Sequence, residues 1–170
     1  MTTRAIAIVV VCCAALVGLG LTLTSASGDT HGRSIVVTDD DGDVLATVAL
    51  EGDSFAVSYR NSIYQTKAEE RYDVRPDGSF HLVQIAAEQL AVLEEYYAVP
   101  GAPHKAPAAD RRQWVVDPDP AYPATFTSLS IAGTDLGERV LHVPGQKSVA
   151  LWRLVPDSDP YLTIDIKENP

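Results

Sequence analysis

The sequence predicts an all-β protein, an antiparallel β-sandwich or flattened barrel, preceded by one transmembrane helix and holding one short helix at most. Three observations carry this. Apolar residues alternate with polar ones over many short runs, the period of half-buried strands. Gly, Pro and Asp turn signals separate these runs at fairly even spacing. A single uncharged stretch, Ala5 to Leu23, stands at the N-terminus.

That stretch, AIAIVVVCCAALVGLGLTL, has the length of a bilayer-spanning helix, about 20 residues. Arg4 is the one charge before it, so the positive-inside rule leaves the N-terminus in the cytoplasm and the rest outside. The run exceeds the apolar core of a signal peptide, which favours an uncleaved signal-anchor. Ser25-Ala26-Ser27 ahead of Gly28 offers the alternative, secretion after cleavage. The expected division is therefore a membrane segment with the start of a linker over residues 1–27 and an exported β domain over 28–170. Both cysteines, Cys12 and Cys13, fall in the membrane segment, which removes a structural disulfide, a thiol nucleophile and a zinc–thiolate site from the exported part.

The exported part holds 12 basic and 23 acidic residues, a formal charge of −11. No basic stripe is present to neutralise phosphates, so nucleic-acid binding is excluded. Contact with the membrane is expected through residues 5–23 rather than through the acidic domain.

The first strands are Ser34 to Val37 and Val44 to Leu50, joined by Thr38-Asp39-Asp40-Asp41-Gly42-Asp43. Asp-Gly supplies the positive φ that a tight hairpin needs. The aspartates of this turn also suggest calcium, but the turn lacks the later bidentate Glu of an EF-hand loop, and turn aspartates serve backbone conformation widely. Glu51-Gly52-Asp53 turns the chain into a third strand where Phe55, Val57 and Tyr59 face the core. Continued alternation puts Asn61 on the same inner face. Reading back from Val74 through Tyr72 puts Glu70 on the inner face of the fourth strand. A carboxylate turned inward must be paired or hydrogen-bonded, or else be neutral, so Glu70 stands out. Arg75-Pro76-Asp77-Gly78 then turns the chain into a strand from Phe80 to Ala86.

From Ala87 to Ala98, Leu90, Leu93 and Tyr97 recur at helical spacing and predict a short helix, with Tyr96 and Tyr97 packed over the core edge. A long proline-rich loop follows between Val99 and Pro123 and includes the apolar Trp114-Val115-Val116. His104, Lys105, Arg111 and Arg112 make it the densest cationic patch of the chain, read either as a solvated loop or as a dock for a carboxylate or phosphate. The last strands are Phe126 to Ile131, Arg139 to Val143, Lys147 to Val155 and Tyr161 to Ile166. In the final one Leu162, Ile164 and Ile166 face inward, and its loss should unfold the domain.

No histidine pair has metal-ligand spacing, and no nucleophile elbow, P-loop, dinucleotide fingerprint or His-Glu-x-x-His occurs. Neither a cofactor nor a catalytic residue is expected from motifs. A hydrolase or isomerase using Glu70 with Tyr64 or Tyr72, or a purely structural envelope module, stands as the alternative.

Tyr59-Arg60-Asn61-Ser62-Ile63, followed by Thr66, Glu69, Glu70, Tyr72 and Val74, resembles the family catalogued as domain of unknown function 1850. The chain departs from that pattern at Asn61, where the family usually has histidine, and at Tyr64, where an acid is common. The resemblance implies a small exported or membrane-anchored β protein, often encoded beside TRAP-type transporters of the TAXI subclass and accessory to solute uptake. It makes Asn61, Ser62 and Glu70 candidate ligand-binding residues. Tyr64, beside them in sequence, joins the set, with transporter subunits and a small anionic solute as the expected partners.

Overall fold

The computed structural model describes residues 32–97, 101–121 and 123–169. These form an all-β domain of two antiparallel sheets. The expected membrane segment, residues 5–23, lies outside the described residues, among which no helix is long and apolar enough to cross a membrane.

Strands β1 (Arg33–Thr38) and β2 (Val44–Leu50) form the first hairpin. Its turn closes as the Asp-Gly signal requires: Gly42 has φ +85°, and the Asp43 N–H donates to the Asp39 carboxylate at 2.8 Å. Among the described residues no group of three or more His, Cys, Asp or Glu converges, so the Asp39 side chain serves the turn itself. Strand β3 (Ser54–Arg60) pairs with β4 (Lys67–Val74), and β4 pairs with β5 (Phe80–Ala87) across a turn with Gly78 at φ +80°. Short strands follow: β6 (His104–Lys105), β7 (Trp114–Val116), β8 (Thr125–Phe126), β9 (Ser128–Ala132), β10 (Val140–His142) and β11 (Val149–Ala150). The last, β12 (Tyr161–Glu168), returns to the beginning of the domain.

One sheet has the order β2-β1-β12-β9, and the other runs β11-β10-β3-β4-β5-β7-β6, with β8 also on β5. Ile35, Val37, Leu162 and Ile164 from the first sheet share one buried cluster with Phe55, Val57, Tyr72, Phe80 and Leu141 from the second. The arrangement is consistent with a β-sandwich. Phe55 stacks on Tyr72 at 5.0 Å, and Phe80 meets both rings edge-on. A smaller cluster of Tyr59, Ala68, Ile85, Val92 and Leu93 fills the end of the second sheet.

Several predicted boundaries move. The helix expected over 87–98 is a six-residue π-helical turn, Val92–Tyr97, because Ala87 still pairs with Ala68 and Trp114 in the sheet. The strand expected over 147–155 is only β11, since the chain turns into a 3₁₀ helix at Leu151–Arg153 to bury Leu151 completely. The proline-rich loop supplies β6 and β7 to the sheet edge.

Candidate functional site

Register decides which face each polar residue of the central hairpin takes. Val57 lies opposite Glu70, Phe55 opposite Tyr72 and Tyr59 opposite Ala68, with no bulge between β3 and β4, so Glu70 faces inward as alternation predicts. Its carboxylate accepts hydrogen bonds from the Tyr72 and Tyr97 hydroxyls, both at 2.7 Å. The Tyr59 hydroxyl donates to that of Tyr97 at 2.7 Å, extending the chain of bonds. Burial, followed by the charge of Glu70, pushes both Tyr72 and Tyr97 far above the ordinary phenol range. They remain O–H donors at neutral pH, each holding one oxygen of Glu70. Both oxygens of the half-buried acid are thereby hydrogen-bonded.

Asn61 ends the same strand and is 1% exposed. Its Oδ1 accepts the N–H groups of Ile63 and Tyr64, both at 3.0 Å, and so folds the turn that follows. Its backbone N–H donates to the Thr66 carbonyl at 2.8 Å. The side-chain Nδ2 is buried and has no hydrogen-bond partner among the described residues. Asn61 and Ser62 line a cavity of about 180 Å³ together with Tyr59, Arg60, Thr134 and Arg139. The Arg139 guanidinium lies over the Tyr59 ring at 5.2 Å. Arg60 donates through Nε to the Leu136 carbonyl at 3.1 Å and stands 3.9 Å from Glu138. The cavity lining contains two arginines and no carboxylate.

Of the four candidate residues, the structure brings Asn61 and Ser62 into this cavity. Tyr64 is half-buried against the smaller cluster and donates its hydroxyl to Glu95, a bond that, ahead of desolvation, raises the pKa of its phenol. Glu70 does not line the cavity but connects to it through Tyr97 and Tyr59. Sequence reasoning missed Arg139 as a site residue. It precedes β10, whose pairing with β3 crosses about 80 residues, and no local pattern signals such a contact.

The opposite face of the second sheet carries a larger constellation. Glu69, opposite Ser58, is fully buried. Arg71 Nε at 2.9 Å, Arg111 Nη2 at 2.8 Å and Arg112 Nη2 at 3.5 Å surround its carboxylate. Arg71 also forks onto Asp110 at 2.6 and 2.8 Å. These contacts draw the segment carrying Asp110, Arg111 and Arg112 onto the sheet. Two members of the expected cationic patch thus reach Glu69: Arg112 is turned inward with only 9% of its side chain exposed, whereas Arg111 stays half-exposed. Burial pushes the Glu69 carboxyl up, but hydrogen bonds from Arg111 and Arg71, with their charge, outweigh it and hold it below the usual range.

A cavity of about 560 Å³ opens here, lined among others by Glu69, Arg71, Asp73, Arg111 and His142. The ring nitrogens of His142 lie 2.8 Å from the Ser58 and Ser148 hydroxyls. Burial, and then the nearby Arg111 charge, lowers its pKa, so the ring is neutral at pH 7. Two acids balance two arginines in this lining, whereas the Asn61 cavity is lined by two arginines, one of them 3.9 Å from Glu138, and by no acid. For an anion, the smaller cavity is the better complement. Comparison of the chain with family models, curated proteins and solved structures finds no match.

Proposed function

We propose that the chain is a membrane-tethered β-sandwich module outside the cytoplasmic membrane that binds a small anionic solute in the Asn61 cavity, as an accessory to a TRAP-type transporter of the TAXI subclass. The observation that carries the binding reading is one cavity whose lining holds two arginines, Arg60 and Arg139, together with Asn61 and Ser62 and no carboxylate. A guanidinium offers the matching fork to a carboxylate or phosphate. Asn61 and Ser62 are also the residues at which the resemblance places ligand binding. The tether and the transporter association rest on the uncharged run Ala5 to Leu23 and on the same resemblance.

Calorimetric titration of the full chain in mild detergent with acetate, succinate and inorganic phosphate tests the binding. At least one should bind, and Arg139→Gln should weaken it by roughly 10- to 100-fold, the worth of a hydrogen bond to a charged group. Equal binding by the variant, or no heat at millimolar ligand, counts against the site. Crosslinking in native membranes followed by co-purification tests the transporter association; recovery of no transporter subunit would overturn it.

A further inference from the structure

The larger cavity, of about 560 Å³, shares no lining residue with the Asn61 cavity among the described residues, and it brings together a different chemistry. Its walls include His142 and Ser148, and His142 Nδ1 lies 2.8 Å from the Ser148 hydroxyl oxygen. Across the ring, Nε2 lies 2.8 Å from the hydroxyl oxygen of Ser58. The strand pairing explains why these three meet. β10 pairs with β11 as Val140↔Ala150 and Leu141↔Val149, and one further step of that register sets Ser148 opposite His142. The turn between them is held at three points: Gly145 has φ +78°, the Gln146 N–H donates to the Val143 carbonyl at 3.1 Å, and the Gln146 side chain donates to Glu51 at 3.0 Å. On its other edge β10 pairs with β3, where His142 stands opposite Ala56 and so takes the face that carries Ser58, Glu69 and Arg71.

The two serines differ in access. Ser58 is 4% exposed and holds the ring from inside the sheet, whereas Ser148 is exposed on the cavity wall. A neutral imidazole has one N–H and one lone pair. With the proton on Nε2, the commoner tautomer of histidine, Nε2 donates to Ser58 and Nδ1 accepts the Ser148 proton. This is the relation of nucleophile, general base and orienting group found in hydroxyl-based acyl transfer. Burial and the Arg111 charge keep the ring neutral at pH 7, the state in which it can take up a proton. Arg111 lines the same cavity, is half-exposed, and commits its Nη2 to Glu69, which leaves further N–H groups for an oxygen that gains charge. Because two acids balance two arginines in the lining, a neutral substrate fits this cavity better than an ion.

We propose that this cavity is a second, hydrolytic site for small neutral carboxylic esters, with Ser148 as nucleophile, His142 as general base and Ser58 as the residue that positions the ring. Ser148 Oγ attacks the ester carbonyl carbon while its proton passes to His142 Nδ1. The bond from that carbon to the alcohol oxygen breaks, the alcohol leaves with the proton, and the acyl group stays on Ser148. Water then adds to the acyl carbon and gives a proton to Nδ1. The Ser148 oxygen leaves, recovers that proton, and the carboxylic acid is released. One ester and one water thus give one acid and one alcohol.

The test treats the full chain in zwitterionic nanodiscs, with empty discs as the blank, with a fluorophosphonate and separately with p-nitrophenyl acetate and butyrate. Peptide mass mapping should find the phosphonyl group on Ser148, and the esters should be cleaved faster than in the blank. Ser148→Ala, at an exposed position, should lose both the label and the cleavage. His142→Gln should slow both by roughly 10²- to 10⁴-fold, what a positioned general base supplies. Among chains of unchanged melting temperature, Ser58→Ala should lose most of the rate and Ser58→Thr, which keeps the hydroxyl, should retain it. Cleavage that survives Ser148→Ala, a label on another residue, or no reaction above the blank would overturn the proposal, and a label on Ser148 without ester turnover would overturn its hydrolytic step. Anion binding in the Asn61 cavity should be the same in Ser148→Ala as in the wild type, so the two sites stand or fall separately.

Discussion

Replacing Glu69 by glutamine is expected to lower the stability of the β domain by roughly 3–5 kcal/mol, the usual result of removing one partner from a buried ion pair. Glu69 is fully buried and answers three guanidinium groups, of which Arg112 is nearly enclosed. With that charge removed, Arg71 keeps Asp110 and Arg112 keeps only the more distant Glu88, at 3.8 Å, among the described residues. A urea titration should show a lower midpoint at unchanged slope. Arg111 is half-exposed, so water softens its share and the lower end of the range is favoured. The pH dependence has a definite sign. Because the folded state holds Glu69 below its ordinary value of 4.5, its stabilisation is complete above that pH and is lost as pH falls through the lower, folded value. Asp110, held down chiefly by its hydrogen bond to Arg71, acts in the same direction. His142, lowered from 6.5 by burial, costs stability as pH falls below 6.5, when the unfolded chain takes up a proton that the folded ring resists. Wild-type stability should therefore decline from about pH 6.5 downward and more steeply below about 4.5, and Glu69→Gln should flatten the lower part of the curve. An unchanged acid limb in the variant would show that Glu69 is not the group responsible.

A chain ending at Pro160 is expected not to form the domain. Strand β12 lies inside its sheet, pairing with β1 on one side and β9 on the other. It contributes Leu162 and Ile164, neither of them exposed, to the shared core. Loss of either one to alanine should cost about 2–5 kcal/mol, and domains of ordinary stability have about 5–15 in total. Removing both, together with two ladders of backbone hydrogen bonds, exceeds what such a domain can lose. Circular dichroism should show no strand signal and proteolysis should be rapid, whereas Ile164→Ala alone should leave a folded but less stable domain. A cooperative unfolding transition in the truncated chain would contradict the role assigned to β12. The register Arg33↔Glu168 joins the ends of the domain, so this pairing forms at high loop-closure cost, and folding should be slow for the domain's size.

Much of the fold was legible because a strand's period is a local property. Alternation alone placed Phe55, Val57 and Tyr59 on one buried face, turned Glu70 toward the same side, and oriented Leu162 and Ile164 inward. The Asp-Gly pairs at Gly42 and Gly78 marked turns because positive φ is a property of single residues. Alternation could not show that β3 is covered on both faces. Ala56 and Ser58 are as buried as their neighbours, and on that face the Ser58 hydroxyl meets the His142 ring of β10. For the same reason alternation singles out Glu70, while Glu69, its neighbour on the opposite face, is the more deeply buried acid. Arg111 and Arg112 read as a solvated loop or as a dock for an outside carboxylate or phosphate, because nothing within the loop indicates a carboxylate of the chain itself some 40 residues earlier.

By itself the sequence determined the all-β class, the hairpin turns, the inner faces of β3, β4 and β12 and an acidic domain free of cysteine, all of which follow from composition and nearest-neighbour periodicity. The tertiary structure alone decided which residues share a cavity. The pairing of β10 with β3 brings Arg139 over the Tyr59 ring and into one cavity lining with Asn61 and Ser62. Such meetings depend on register between distant strands, which is set by packing of the whole core and leaves no trace in any short stretch of residues.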